Sequence, residues 1–438
     1  MASNIARSLS GFPEWTPEVR YVEVMWLDRI RKVYESYGYT SIETPAVELL
    51  EILQAKGEID KEIYLIKKPY EGSKEEYGLH YDLTVPFARY VAQNHGKLTF
   101  PFKRYQMQKV WRGERPQRGR YREFYQCDVD VIDNETLSHY YDFEMLLVGH
   151  DALSCIEIPC FTIGISNRKI YQGYLEAVGI KDVTSTLRLI DKMDKVGSEG
   201  VIKLLKDKLD MPEELAVKAI QPSSIKSSDL GFIEQFQALD VKSTLADEGI
   251  QELEQVISLF IQTGRKNVEV DLSFVRGFDY YTGIIYEGKF SNDPGYGSIC
   301  SGGRYENLSG SFTDRRLPGV GFSVGFTRIF AKLVEEELLP TIQSSLVDAI
   351  VLRTQEDDLP SVCKAADVLR SKGLKVEVYG EVCKLAKQFK YANKKSIRWV
   401  WIASKDDPTQ FEVKDMMSGE QYPSSPENWQ PLITGIGS

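Results

Sequence analysis

Polar and apolar side chains alternate without a break along residues 126–131. An extended chain turns successive side chains to opposite faces, so this run predicts a strand with one polar face. The polar positions are Gln126, Asp128 and Asp130. The preceding run, residues 102–112, is rich in strand-favouring types, and residues 113–119 between the two runs are rich in turn residues. The pattern predicts a long antiparallel hairpin whose polar face walls a cleft.

Apolar residues at helical spacing predict a helix over residues 18–37, which Gly38 would end. A second helix is predicted to begin at Thr84, because threonine caps helix N-termini and Pro86 is tolerated in a first turn. Asp82 would then lie just outside the start of this helix.

Two further segments have patterns of their own. Residues 181–266 are charged and mostly helical in pattern, which predicts a helical insertion. From about residue 346 the patterns alternate between strand and helix, which predicts a small α/β domain with a separate core. The predicted fold class is α+β, with an antiparallel sheet flanked by helices.

The composition narrows the possible functions. The chain has 438 residues, 42% of them hydrophobic, with no membrane-length apolar run and no secretory signal, so a cytoplasmic protein without a membrane partner is expected. Its six cysteines and four histidines form neither CxxC nor HExxH patterns, so no metal site made of protein ligands alone is expected. The net charge of -10 disfavours a general nucleic-acid coat and a DNA partner.

Basic residues are nevertheless concentrated in the predicted hairpin. They are Arg112, Arg115, Arg118, Arg120 and Arg122. Arg112, at the end of the first strand, could direct a planar guanidinium at a phosphate over the polar face, and the loop arginines could contact RNA locally. The alternative is a solvated charge cluster, which is the usual fate of a basic run.

Two other arginines stand beside glycine and aromatic clusters. Arg276 and the pair Tyr280–Tyr281 follow a strand-like run, although these tyrosines could simply pack in a sheet. A glycine-rich strand at residues 318–325 leads into a predicted helix that holds Arg328, and a helix N-terminus favours anions. Neither a Walker A motif nor a dinucleotide-binding glycine motif is present. Together with Arg112, these two arginines suggest a site for nucleotide chemistry that needs no catalytic nucleophile.

These residues, in this order, resemble the class II aminoacyl-tRNA synthetases over nearly the whole chain, and within them the histidyl-tRNA synthetase family. Residues 44–45 are similar to class II motif 1, residues 111–130 to motif 2 and residues 321–328 to motif 3. Residues 276–282 and 301–305 resemble signatures specific to histidine. The resemblance implies a catalytic domain in two parts, residues 1–180 and 267–340, the helical insertion at 181–266, and an anticodon-binding domain at 341–438.

The resemblance also assigns roles to residues. Asp82, Thr84 and Gln126 would hold the α-amino group of histidine, and Asp130 and Tyr281 would address its imidazole. The full set expected to bind histidine is Asp82, Leu83, Thr84, Gln126, Asp130, Tyr280, Tyr281 and Tyr305. The set expected to bind ATP is Arg112, Glu114, Arg120, Arg276 and Arg328, of which Arg112, Arg276 and Arg328 are the expected catalytic residues. Glu114 would lie near the adenine or a Mg²⁺ ion that accompanies ATP. Arg115, Gln117, Arg118 and Arg122 would contact the acceptor end of the tRNA.

The implied reaction activates L-histidine with ATP to give histidyl-adenylate and pyrophosphate and then transfers histidine to the 3' end of tRNA(His), and the implied assembly is a homodimer. His80 and Thr327 depart from the residues usual in the family, arginine and glutamate. One alternative is a paralogue that binds histidine as a regulatory subunit of ATP phosphoribosyltransferase. Such paralogues typically lack the anticodon domain and the catalytic arginines, which are present here. A class II synthetase for another small amino acid is a second alternative, which Asp130, Tyr281 and residues 276–282 disfavour.

Overall fold

A computed structural model describes residues 7–55, 62–67, 76–275, 281–340, 345–355, 358–404, 406–407 and 409–430. These residues divide into two compact units. One unit contains the described residues before 15 and those from 23 to 338, and the other contains residues 15–22 and the described residues from 339 onward. Among the residues described, no helix combines the length and the apolar character needed to cross a membrane.

The main sheet of the first unit has nine strands within the described ranges. They are β1 (Thr40–Ser41), β5 (Phe102–Trp111), β6 (Glu123–Ile132), β7 (Phe161–Asn167), β8 (Lys226–Ser227), β9 (Val268–Asp271), β10 (Tyr281–Phe290), β11 (Cys300–Tyr305) and β12 (Gly319–Val324). Their order across the sheet is β1-β5-β6-β12-β11-β10-β7-β9-β8. Neighbours are antiparallel except for the parallel pairs β1–β5 and β7–β9. The predicted α+β class with an antiparallel-rich sheet is confirmed.

The remaining elements of this unit are a small sheet and the helices. The small sheet contains β2 (Val47–Leu49), β3 (Leu65–Ile66) and β4 (Tyr77–Leu79). The helices are α1 (Pro17–Ser36), whose first residues belong to the second unit, α2 (Leu50–Leu53), α3 (Thr84–Asn94), α4 (Tyr140–Ser154), α5 (Arg168–Ala177), α6 (Val183–Ile190), α7 (Met193–Leu209), α8 (Glu213–Ala219), α9 (Phe232–Gln237), α10 (Thr244–Gln262) and α11 (Phe326–Glu335). The predicted helix at residues 18–37 is confirmed as α1. The segment 181–266 is helix-rich as predicted, and its strand β8 also joins the edge of the main sheet.

The predicted hairpin is confirmed as β5 and β6, which pair in continuous register from Phe102 opposite Ile132 to Trp111 opposite Glu123. The apolar face of β6 lies in the core, where Val129 is next to Phe322 of β12. Helix α4 approaches Phe322 so closely that a Cβ on Gly149 would meet its ring at 2.5 Å. Because helices cover this face, the opposite face of β6 is the one that can carry a cavity.

The start of α3 differs from the prediction. The helix begins at Thr84, but its side chain is not the cap, because Asp82 Oδ1 accepts a hydrogen bond from the backbone N–H of Val85 at 3.1 Å. The prediction of Thr84 as the capping residue is therefore wrong. Leu83 occupies the N-cap position without a side-chain cap bond, Asp82 supplies the capping oxygen from one residue earlier, and Pro86 does lie in the first turn as predicted. The cap fixes the Asp82 carboxylate at the positive end of the helix.

The second unit contains its own five-stranded sheet within the described residues. Its elements are β13 (Ala349–Leu352), α12 (Leu359–Ser371), β14 (Val376–Val378), α13 (Leu385–Lys394), β15 (Trp399–Ala403), β16 (Phe411–Asp415) and β17 (Gln421–Ser424). The predicted alternation of strands and helices is confirmed through β15, with β13 parallel to both β14 and β15. The antiparallel extension formed by β16 and β17 is an addition to the predicted pattern.

Candidate active site

Two adjoining cavities lie on the polar face of the main sheet. The first, here called the Asp130 cavity, has a volume of about 250 Å³. It is lined by Asp82, Thr84, Arg112, Gln126, Asp128, Asp130, Tyr281, Ser301, Gly302, Tyr305, Gly321, Phe322 and Ser323. The second, the Arg328 cavity, has a volume of about 290 Å³. It is lined by Arg112, Glu114, Gly119, Arg120, Tyr121, Phe124, Gln126, Ser298, Ile299, Cys300, Ser301, Ser323, Gly325 and Arg328. Arg112, Gln126, Ser301 and Ser323 line both, so the two cavities meet at these residues.

Glycines on the neighbouring strands make room for the side chains of the Asp130 cavity. Gly321 of β12 lies opposite Asp130, and a Cβ there would stand 2.1 Å from Asp130 Oδ1. A Cβ on Gly303 of β11 would stand 2.9 Å from the Tyr281 ring. Since real side-chain carbons do not approach so closely, larger residues at these two positions would displace the carboxylate and the phenol.

Asp130 is held by two protein partners. Arg104 Nη2 lies 2.7 Å from Asp130 Oδ2, and the Tyr305 hydroxyl donates a hydrogen bond to Oδ1 at 3.1 Å. Arg104 is fully buried and its guanidinium lies over the ring of Phe87 at 3.9 Å. Sequence reasoning missed Arg104, although the register of the predicted hairpin places it directly opposite Asp130. Within an antiparallel pair, directly opposed residues of opposite charge on one face are expected to interact.

The groups expected to hold an amino group converge from α3 and β6. Asp82 and Thr84 line the cavity from the start of α3, whereas the side chain of Leu83 is fully buried and lines neither cavity. Gln126 Nε2 donates to Ser323 Oγ at 2.9 Å. Its Oε1 is buried and has no hydrogen-bond partner among the described residues. The amide therefore presents an acceptor that suits an ammonium group.

His80, the departure next to Asp82, is packed in the structure. Its ring is fully buried, lies 5.5 Å from the ring of Trp111, and donates from Nε2 to the carbonyl of Lys109 at 2.7 Å. Burial lowers the pKa of His80, which favours the neutral ring. His80 therefore ties the chain before α3 to β5 and does not line either cavity.

Three of the described arginines, Arg112, Arg120 and Arg328, line the Arg328 cavity. Arg112 lies over the Phe124 ring at 5.1 Å and donates from Nε to the carbonyl of Tyr81 at 3.1 Å. Arg328, in the first turn of α11, donates to the carbonyls of Gly119 and Ser298. Burial, together with the neighbouring cations Arg120 and Arg112, lowers the pKa of Arg328. Such mutual repulsion marks a site where an anion would be favoured.

Of the other residues predicted to bind ATP, the structure describes Glu114 and Arg120 but not Arg276. Glu114 and Arg120 line the Arg328 cavity and form an ion pair at 3.1 Å. Arg276 and Tyr280 lie outside the described residues. Over the residues that are described, no group of three or more histidine, cysteine, aspartate or glutamate side chains could hold a metal ion.

The hairpin loop does not present all of its predicted tRNA contacts equally. Arg115 and Gln117 are exposed. Arg118 lies within 3.5–3.7 Å of the carboxylates of Asp293, Glu335 and Glu336, and Arg122 donates to the backbone carbonyl of Glu114. Arg118 is exposed as well, but its guanidinium is engaged by these carboxylates, and Arg122 is only partly exposed.

Two motif residues have structural roles. Arg304, inside the signature at residues 301–305, is buried and forms a two-pronged ion pair with Asp142, with the shortest contact at 2.8 Å. Thr327, the second departure from the family pattern, accepts a hydrogen bond at its Oγ1 from the backbone N–H of Tyr125 at 2.8 Å. Thr327 thereby joins α11 to β6 beside the Arg328 cavity.

An antiparallel-rich sheet with a carboxylate-lined cavity beside an arginine-lined one, followed by a separate α/β unit, is the arrangement of a class II aminoacyl-tRNA synthetase. The family model described as "Histidyl-tRNA synthetase" matches residues 11–329, and the model described as "Anticodon binding domain" matches residues 348–433. The chain belongs to the histidyl-tRNA synthetase family.

Individual relatives agree over nearly the full length. The chain is 44% identical to a histidine–tRNA ligase of Thermobifida fusca, covering 96% of this chain and 97% of the relative. It is 42% identical to a histidine–tRNA ligase of Micrococcus luteus, with coverage of 97% and 96%. Among solved structures, the histidyl-tRNA synthetase of Nostoc sp. PCC 7120 is 38% identical with a TM-score of 0.84, over 96% of this chain and 97% of that one.

A more distant solved structure bears on the regulatory alternative. The Bacillus halodurans protein described as an ATP phosphoribosyltransferase regulatory subunit/histidyl-tRNA synthetase is 21% identical with a TM-score of 0.72, covering 88% of this chain and 96% of that one. At this identity the likeness shows the fold alone, so it does not favour a regulatory role.

Proposed function

We propose that the chain is a histidine–tRNA ligase, which activates L-histidine with ATP to form histidyl-adenylate and pyrophosphate and then transfers histidine to the 3' end of tRNA(His). The observation that carries this proposal is the meeting of the two cavities at Arg112. An amino acid in the Asp130 cavity and a nucleotide in the Arg328 cavity would bring carboxylate and α-phosphate together beside one guanidinium.

Histidine recognition would use the paired groups of the Asp130 cavity. The carboxylate of Asp82 and the free amide oxygen of Gln126 would accept hydrogen bonds from the α-ammonium group, with Thr84 beside them. Asp130 and Tyr281 would address the two imidazole nitrogens, one as acceptor and one through a hydroxyl. Tyr305 would act on Asp130 through its hydrogen bond.

Activation would need positioning more than proton transfer. The histidine carboxylate is already ionised at neutral pH and can attack the α-phosphate in line without a general base. Charge accumulates on the phosphate oxygens in the transition state, so fixed cations beside them lower the barrier. Arg112 is oriented for this by the Tyr81 carbonyl and the Phe124 ring. Arg328 would contact the γ-phosphate, and Arg276 would contact the carboxylate and the α-phosphate together with Arg112.

Mg²⁺ would accompany ATP. Magnesium is commonly bound through one or two carboxylates together with substrate phosphates, and Glu114 is a carboxylate that lines the Arg328 cavity. When bound, the ion would neutralise phosphate charge. Glu114, paired with Arg120, would alternatively lie against the adenine.

The second substrate is tRNA(His). The exposed Arg115 and Gln117, with Arg118 and Arg122, would contact its acceptor end, and the second unit would bind its anticodon. We further propose a cytoplasmic homodimer, as the family resemblance implies.

Histidine-dependent exchange of pyrophosphate into ATP tests the proposal without tRNA. Exchange with histidine, and with no other amino acid of a full panel, is the expected result, followed by charging of tRNA(His). Histidine binding in the absence of any exchange would refute the ligase activity and support the regulatory subunit instead. Exchange with a different amino acid would support the second alternative.

A further inference from the structure

Asp128 lies on the same face of β6 as Gln126 and Asp130, between the two, and lines the Asp130 cavity. It is only 3% exposed. Neither the family resemblance nor the recognition scheme above gives this carboxylate a function. A buried carboxylate in a substrate cavity requires an explanation, because burying a charge without a partner is costly.

The strands on both sides of Asp128 leave one of its oxygens without a partner. Gln106 of β5 lies directly opposite, but its Nε2 donates to Thr44 and Gln108, at 2.9 and 2.7 Å. Ser323 lies opposite on β12, and its hydroxyl forms a hydrogen bond with the Asp128 carboxylate. Asp128 Oδ1 is buried and has no hydrogen-bond partner among the described residues.

The charges around Asp128 do not neutralise it. The cation that faces it is Arg104, which already lies 2.7 Å from Asp130. The other two charged groups that act most strongly on it, Asp130 and Asp82, are carboxylates, and Arg112 lines the same cavity. Burial raises the pKa of Asp128 to about 7, and repulsion by these carboxylates adds to the rise while Arg104 opposes it. A hydrogen-bond donor from a bound ligand would therefore stabilise the Asp128 carboxylate.

This inference rests on the ligase activity proposed above. We propose that Asp128 is a further specificity-determining residue, whose Oδ1 accepts a hydrogen bond from the side-chain N–H of bound histidine. Asp130 also accepts from Arg104 and Tyr305, so Asp128 would act beside it as a second acceptor for the imidazole N–H, through an oxygen to which no described protein group donates. An amino acid without a side-chain N–H would leave this buried oxygen unsatisfied, and that penalty would reject it.

The test is Asp128→Asn in the full-length protein, measured by pyrophosphate exchange and by thermal unfolding. The amide is nearly isosteric but loses the charge. We expect the KM for histidine to rise about tenfold or more while the KM for ATP stays within about twofold. The Tm should stay the same or rise, because a neutral amide is less costly to bury. A merely structural carboxylate would not separate the two KM values.

The pH profile gives a second readout. The carboxylate of Asp128 is ionised above about pH 7, so the wild-type KM for histidine should fall from about pH 6 to about pH 8. The histidine substrate itself titrates in this range and contributes to the change in KM for every variant. The comparison is therefore between the fall in KM of Asp128→Asn and the fall in KM of wild type. Asp128→Asn should show the smaller fall.

Glu123→Gln is the matched control, since Glu123 lies on the same strand but binds Lys109 and Trp111 and lines neither cavity. Its kinetics should equal those of the wild type. A KM for histidine in Asp128→Asn within about twofold of wild type would overturn the proposal. So would a joint rise of both KM values with a lower Tm. Absence of histidine-dependent exchange in the wild type would instead refute the ligase activity itself, and this inference with it.

Discussion

At the Asp130 cavity the carboxylate of Asp130 is paired with a buried cation, whereas the two principal arginines of the Arg328 cavity are held by backbone carbonyls. Arg104 and Asp130 form a buried ion pair, but Arg112 and Arg328 donate to the carbonyls of Tyr81, Gly119 and Ser298. A carbonyl oxygen orients a guanidinium without cancelling its charge. The first cavity can thus present a defined shape and hydrogen-bond pattern to an amino acid, and the second retains positive charge for phosphates.

Removing Arg104, the buried cation paired with Asp130, should have the largest effect. In Arg104→Leu the Asp130 carboxylate stays buried but loses its cationic partner on β5. We therefore expect a loss of about 3–5 kcal/mol in the free energy of unfolding. Urea denaturation would measure it. Adding Asp130→Asn to this variant should restore part of the stability, because the unpaired charge is removed. An unchanged midpoint in Arg104→Leu would show that the ion pair contributes little.

Removing the cation at the junction should affect catalysis and leave stability nearly unchanged. Arg112→Ala should lower the rate of pyrophosphate exchange by about 10²–10³-fold, since it removes a fixed donor from a site of developing charge. Its Tm should stay close to that of wild type, because Arg112 is only partly buried and lines two cavities that water can fill. A large fall in Tm, with pyrophosphate exchange per folded molecule unchanged, would show that Arg112 serves stability and not catalysis.

Asp128, in the Asp130 cavity, should also make the stability of the protein depend on pH. The folded pKa of Asp128 is about 7, above its ordinary value of 3.8. The folded state therefore binds the proton more tightly, so this group lowers stability as the pH rises from about 4 to about 7. Asp128→Asn should gain stability over wild type, on the order of 2 kcal/mol, at about pH 8 and gain little at about pH 4. Denaturation at both pH values measures this, and an equal gain at both would contradict it.

His80→Arg should have a smaller effect. The carbonyl of Lys109 accepts from the His80 ring, and a guanidinium could donate to the same carbonyl while Asp82 and Glu48 lie near enough to favour its charge. Activity should stay within about tenfold of wild type, or about 1.4 kcal/mol. A change well beyond tenfold in exchange kinetics would show that His80 acts directly on the substrate.

The smallest effect is expected in the hairpin loop. Arg115→Ala removes an exposed cation, so charging of tRNA(His) should fall about two- to fivefold while exchange without tRNA stays the same. Arg118→Ala is the informative comparison, because Arg118 is engaged by carboxylates in the chain. A loss of tRNA-independent exchange in Arg115→Ala would place this residue near the nucleotide.

Much of the fold could be predicted because its signals are local. Alternation along residues 126–131 specifies a strand and its polar face, and the helical spacing of residues 18–37 specifies α1. The cap of α3 could not be assigned correctly, because aspartate and threonine both cap helices, and here the capping oxygen comes from Asp82, one residue before the N-cap position that Leu83 occupies. The resemblance supplied the remaining site residues, whose roles all remain predictions, and two of them, Arg276 and Tyr280, lie outside the described residues.

The sequence by itself determined the hairpin, the glycine-rich strand leading into α11, the separate α/β segment and the family resemblance. Each of these is written in neighbouring residues or in motifs with fixed spacing. Only the tertiary structure decided that Arg104 neutralises Asp130, that Arg304 is tied to Asp142, and that Asp128 retains an open oxygen. These outcomes depend on burial and on contacts between residues far apart in the chain, and a buried charge acquires its role only from the groups that the fold brings against it.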